Sequence, residues 1–157
     1  MASWGKTDFK QLKALQQRIE QLEKSNIEKF CKEVSKELAA RLLAKVIKRT
    51  PVGQYPANTG KVGGTLRRGW TGQQQQSATA YAQSLPVKRT GNAYEITIIN
   101  PVDYASYVEY GHRTRGGGGW VEGRFMLTKS EMEVEGQAEK IIEQRLMKYL
   151  GDAFNGK

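Results

Sequence analysis

The chain has 157 residues, with 25 Lys and Arg against 16 Asp and Glu, giving a formal charge of +9. That length suits one domain, and a hydrophobic content of 38% predicts a modest core under much polar surface. Neither a membrane span, which needs roughly 20 apolar residues in a row, nor a signal peptide is expected: Arg41 and Lys45 break the most apolar stretch, Leu38 to Ile47, and Met1 to Asp8 holds no apolar segment.

Phe9, Leu12, Leu15, Ile19 and Leu22 recur at steps of three and four, which predicts a first helix over 8–24. Ser25-Asn26 is expected to break it, with Asn26 capping a second helix. Ile27, Phe30, Cys31, Val34, Leu38, Leu42 and Val46 line that helix until Thr50-Pro51 stops it. Residues 51–65 hold two prolines and four glycines and read as a long loop. It is no phosphate-binding loop, because Val62 follows Gly60-Lys61 where a serine or threonine would bind magnesium.

A β region is expected next. Leu66 and Trp70 fit one face of a strand, with Gln73 to Gln76 as a turn or an exposed strand end. Tyr81, Gln83, Leu85 and Val87 alternate, as do Tyr94, Ile96 and Ile98, so Arg89 to Asn92 reads as a hairpin turn. Pro86 marks the first run as an edge or bulge. Residues 103–111 suggest two turns of helix, capped by Asp103 and ended by Gly111. The loop from His112 to Gly123 carries an uninterrupted run, Gly116 to Gly119, which leaves it mobile until a partner orders it. Leu127 to Leu150 reads as a last helix with Ala138, Ile141, Ile142, Leu146, Tyr149 and Leu150 on one face, and 151–157 as a frayed tail.

Chemistry is sparse. One cysteine, Cys31, and one histidine, His112, cannot supply an internal disulfide or a zinc site, so no metal or cofactor is expected and a reducing, intracellular setting is the default. Asp103, Glu109 and His112 lie close in sequence, but a cap, a helix-face carboxylate and a loop histidine account for them equally well. No enzyme is expected. The basic excess is unevenly spread: residues 1–50 carry +6, residues 51–100 +4 and residues 101–157 −1. Arg67, Arg68, Trp70, Lys88 and Arg89 mix charge with an aromatic, as nucleic-acid binders do, though no recognised DNA- or RNA-binding motif is present. Open strand edges and the aromatics Tyr104, Tyr107, Tyr110, Trp120 and Phe125 suit instead a surface for protein assembly.

A helix ending in Arg49-Thr-Pro-Val52 leads to Thr59-Gly60 and then Leu66-Arg-Arg-Gly-Trp70. Later come Tyr94-Glu-Ile-Thr-Ile-Ile-Asn-Pro101, Tyr104-Ala-Ser-Tyr-Val-Glu-Tyr-Gly111 and Gly123-Arg-Phe-Met-Leu127, before a closing helix. In this order the motifs resemble the "gene product ten"-like tail-component family of tailed bacteriophages, which includes tail-completion and head–tail joining proteins. The resemblance covers about 27–150, with 1–26 as a helical extension. The loop before Leu66 is longer than usual, Gly69 stands where serine is commoner, and His112 where threonine is.

The resemblance implies an α+β fold, helices at both ends packed on a small, mainly antiparallel sheet. It also implies a non-enzymatic virion protein at the head-proximal end of the tail. Its expected partners are further copies of itself in a six-fold ring around the DNA channel, tail tube or terminator proteins, head–tail connector proteins and, non-specifically, DNA in the channel, with no membrane. Thr59, Gly60, Arg67, Arg68, Trp70, Tyr104, Tyr107, Glu109, Tyr110, Trp120, Arg124 and Phe125 are the assembly residues to test. A basic nucleic-acid-binding protein is the alternative.

Overall fold

One helix, α1 (Lys10–Arg49), dominates the computed structural model, which describes residues 10–154. Forty residues at 1.5 Å each make it about 60 Å long. The expected break at Ser25-Asn26 is absent, and Asn26 caps nothing. Ser and Asn cost well under ~1 kcal/mol each inside a helix, and a helix already nucleated on both sides propagates through them. Phe9 and the residues before it lie outside the described residues. The second long helix, α5 (Met126–Phe154), extends past the expected end at Leu150, so the start of the supposed tail is helical.

The two helices pack antiparallel and are fastened by charge. Glu133 of α5 accepts from Lys45 and Arg49, and Arg49 also donates to Ser130 Oγ at 2.9 Å. Further along, Glu37 takes Arg41 from its own helix and Arg145 from α5, and Phe30 meets Tyr149 with ring centroids 5.2 Å apart.

Burial pushes the Glu37 carboxyl up, but the hydrogen bonds from Arg41 and Arg145 outweigh it and hold the group below the usual range. A depressed folded pKa contributes stability above the unfolded value, about 4.3, and that contribution fades as pH falls through the folded value. Urea unfolding at pH 7 and below pH 4 (roughly the carboxylate range) should therefore show a smaller acid loss in Glu37→Gln than in the parent chain. Equal losses would remove Glu37 from the acid response.

Between the long helices the chain forms short elements. Leu66 to Trp70 is no strand: α2 (Thr65–Gly69) is helical and begins after Gly64, whose φ is 95°. Tyr81 to Val87 is largely helical too, because Ser77 Oγ accepts from Ala80 N–H and starts α3 (Ala78–Ser84). The hairpin survives in shorter form. Strands β1 (Lys88–Thr90) and β2 (Ala93–Glu95) pair antiparallel around Gly91-Asn92, with Arg89 opposite Tyr94, while Ile96 and Ile98 run on outside it.

Helix α4 (Ala105–Tyr110) starts two residues late and without a side-chain cap, so Asp103 does not cap it. The expected loop 112–123 is a second hairpin, β3 (Gly111–Arg113) with β4 (Trp120–Glu122), and the glycine run forms its tip. The fold is α+β, with two separate antiparallel hairpins rather than one sheet.

The core gathers Ala39, Leu43 and Val46 of α1, Leu66 and Trp70 at α2, Ala82 of α3 and Met126 of α5. Thr50, which follows the last residue of α1, is fully buried and ties α1 to α2 through three hydrogen-bond partners. Its Oγ1 donates to Val46 O at 2.6 Å and accepts from Trp70 Nε1 at 2.8 Å. Its carbonyl accepts from Arg67 Nη2 at 2.7 Å. Cys31 is half-buried and free, short of the full burial that its place on the apolar stripe predicts.

Candidate functional site

One end of the molecule collects most of the aromatic side chains singled out above. Helix α4 places Tyr104, Tyr107 and Tyr110 towards solvent, at 45%, 58% and 62% exposure, and Trp120 at the start of β4 is 55% exposed. Four large aromatics this open, within one helix and its adjoining hairpin, are more than the scattered apolar residues normal on a surface. Tyr107 lies 5.8 Å, centroid to centroid, from His112 of β3. Arg113 and Arg115 of the same hairpin, and Arg124 of the turn after it, are exposed too.

This surface has a rigid support. Glu109 is 5% exposed, and its carboxylate accepts from Leu127 N–H and Thr128 N–H, each at 2.9 Å, and from Thr128 Oγ1 at 2.8 Å. These are amide donors of the first turn of α5, so Glu109 does the work of an N-cap from a distance. Arg124 N–H donates to Val108 O at 2.8 Å and Phe125 N–H to Glu109 O at 3.0 Å. Phe125, at φ 49° and half-buried, turns the chain into α5. Glu109 and Phe125 thus hold the surface from behind, while Arg124 and the four exposed rings form it.

The loop 51–64 meets the same end. Val52, Tyr55 and Val62 line a groove of about 240 Å³ with Tyr104 and Val108. The loop closes on itself where Gly63 faces the Gly53 carbonyl, which a Cβ would approach to 2.0 Å. Thr59 and Gly60 sit exposed on a single 3₁₀ turn, with Thr59 Oγ1 donating to Pro56 O at 2.7 Å. Arg68 braces the loop by donating to Gly63 O at 3.2 Å.

The basic–aromatic set for nucleic acid is not assembled. Trp70 is 3% exposed and engaged with Thr50, so no base can stack on it, and Arg67 is spent on the Thr50 carbonyl. Lys88 and Arg89 lie on the first hairpin, with Arg89 over the Tyr94 ring at 5.7 Å and 3.8 Å from Glu28. The grouping rested on reading Leu66 to Trp70 as part of a β region; the segment is helical and Trp70 is buried.

Sequence reasoning missed Arg113 and Arg115. The signal was present, since Arg113 and Arg115 flank the glycine run that was singled out. Among the described residues no group of His, Cys, Asp and Glu side chains could hold a metal ion, and no helix is long and apolar enough to cross a membrane.

Comparison with known proteins gives one match. No curated protein and no solved structure matches the chain. A family model does, over residues 13–111, from the first turn of α1 through α4 to the start of β3. It is described as "Bacteriophage HK97-gp10, putative tail-component". The matched segment spans well over half of the chain and begins inside the helix that sequence patterns had divided. The chain therefore belongs to this family of bacteriophage tail components.

Proposed function

We propose that this protein is a structural part of the virion that completes the head-proximal end of the tail and joins it to the neck, as a ring of identical subunits around the DNA channel. Six copies is the ring size that the family resemblance implies. The observation that supports the joining role is the exposure of Tyr104, Tyr107, Tyr110 and Trp120, with Arg113, Arg115 and Arg124, along one helix, its adjoining hairpin and the turn after it. Tyr, Trp and Arg are the residues that dominate binding energy at protein interfaces. These arginines favour a partner with acidic side chains. In this reading the tail tube or its terminator lies on one side of the ring and the connector on the other.

The hairpin tip offers a clean test. Arg113 pairs with Trp120, so removing 116–119 leaves Thr114-Arg115 as a two-residue turn between them. The deleted protein should fold with unchanged circular dichroism, yet electron microscopy should show tails and heads that fail to join. Normal infectious particles from the deletion would take the tip out of the mechanism.

A further inference from the structure

An open groove of about 490 Å³ lies between α1, α5 and the chain that follows β2. Its lining includes Leu38, Leu42 and Ile96, all half-buried, and buried Val134, with Glu131 and Glu135 exposed on α5. No residue of the second hairpin lines it. The two glutamates stand four residues apart, so they share a helix face, where like charges disfavour the helix. Glu133 between them is held by Lys45 and Arg49. Among the described residues, neither Glu131 nor Glu135 makes an ion pair or a side-chain hydrogen bond.

Two other grooves lack this pairing of apolar lining with free carboxylates. The one under the loop 51–64 has no charged lining. The one between α1 and α3 carries Glu28 and Glu33, but these are paired with Lys32 and Lys29 of the same helix. The α1–α5 groove therefore suits a group that brings an apolar body and a positive charge together.

Such a group is present on the same chain. Arg113 lies directly across the second hairpin from Trp120, and residues placed opposite each other share one face of a strand pair. Trp120 is 55% exposed. Arg113 and Arg115 are exposed, with no ion pair or side-chain hydrogen bond among the described residues. Trp and Arg are also the side chains that most often anchor an interface by filling a pocket on the partner.

We infer that the second hairpin of one copy of this chain seats Trp120 in the α1–α5 groove of another copy, with Arg113 and Arg115 against Glu131 and Glu135. The contact joins two different surfaces, so it repeats head to tail, and a contact of this kind closes into a ring where the rotation allows. It names the partner of the hairpin and rests on the reading of the protein as a ring of identical subunits. The tyrosines of α4 are left for the joint with the neck.

The test uses two full-length variants, each checked for an unchanged circular dichroism spectrum. One has a blunted hairpin, Arg113→Glu with Trp120→Ala. The other has a reversed groove, Glu131→Arg with Glu135→Arg. In sedimentation velocity the parent chain should form assemblies larger than a dimer. Each variant alone should stay monomeric, since loss of an aromatic anchor weakens a contact by about thirtyfold and reversed charges weaken it further. Mixed in equal amounts, the two should form a dimer and stop there, because one keeps only the groove and the other only the hairpin. A mixture that stays monomeric, or a parent that is monomeric at every concentration, would overturn the inference. Variants that assemble like the parent would also overturn it, and would leave the ring standing on other surfaces. That is the result if the hairpin or the groove serves a different protein. A mixed dimer, from a parent that grows into open filaments under electron microscopy, would uphold the inference and remove the ring.

Discussion

Trp70→Ala is expected to lower the free energy of unfolding by about 3–5 kcal/mol, the range for removing a large aromatic from a packed core. Trp70 touches the centre of that core, at 3% exposure, where α1, α2, α3 and α5 converge. Truncation opens a cavity there and also removes the indole N–H that Thr50 Oγ1 accepts at 2.8 Å. Trp70→Phe separates the two effects. It keeps most of the volume and should cost about 1 kcal/mol for the lost hydrogen bond plus a small packing change. Urea denaturation followed by circular dichroism measures both. A Trp70→Ala variant as stable as the parent would mean that the indole is not packed as described. It would also reopen a surface role for Trp70, in which the loss appears in ligand affinity rather than in stability.

Gly111→Ala is expected to cost about 1–3 kcal/mol from backbone strain alone, with overlap in addition. Gly111 closes α4 at φ 87° and ψ 171°, a region essentially reserved for glycine. Its missing Cβ is what lets β4 approach, because that atom would lie 2.4 Å from Val121 O and 2.9 Å from Gly123 N. Gly123 mirrors this, since a Cβ there would come within 2.3 Å of Glu109 O. The cost should fall first on the hairpin and the turn into α5, with the middle of α1 least affected. Hydrogen exchange should therefore show residues 111–125 losing protection before the α1 core around Leu43 and Val46. Unchanged protection throughout would mean that the hairpin tolerates a side chain at this crossing.

The helical character of both long helices was legible because their periodicity is sustained, although α1 was divided at Ser25-Asn26, and so were the loop up to Gly64, the Gly91-Asn92 turn and the stop at Gly111. The errors have a common physical origin in short segments. Leu66 and Trp70 are four residues apart, a spacing that shares one face in both a strand and a helix, so the pattern could not choose between them. In Tyr81 to Val87 the alternation was real, but Ala78, Tyr81, Ala82 and Leu85 also fit a helix, and Ser77 was the cap that decided it. The second hairpin carries three residues per strand, exposed along β4 and over most of β3, so there is no inside–outside pattern to detect. Among the candidate residues, Tyr104, Tyr107, Tyr110, Trp120 and Arg124 do reach the surface. The inward turn of Glu109 depends on α5 amides eighteen and nineteen positions away, a separation that no local pattern encodes.

That inward carboxylate has a mechanical consequence. A neighbour pulling on the aromatic end pulls on α4, and α4 is bolted through Glu109 to the first turn of α5. Under the proposed joining role, load at this surface would pass through Glu109 into a helix pair held by Glu37 and Glu133, as tension along the helices rather than bending of a three-residue hairpin. The bolt also works in reverse. Whatever frays the first turn of α5 would slacken the aromatic surface in front of it, so in the proposed joint the strength of the contact would be capped by that of the helix end behind it.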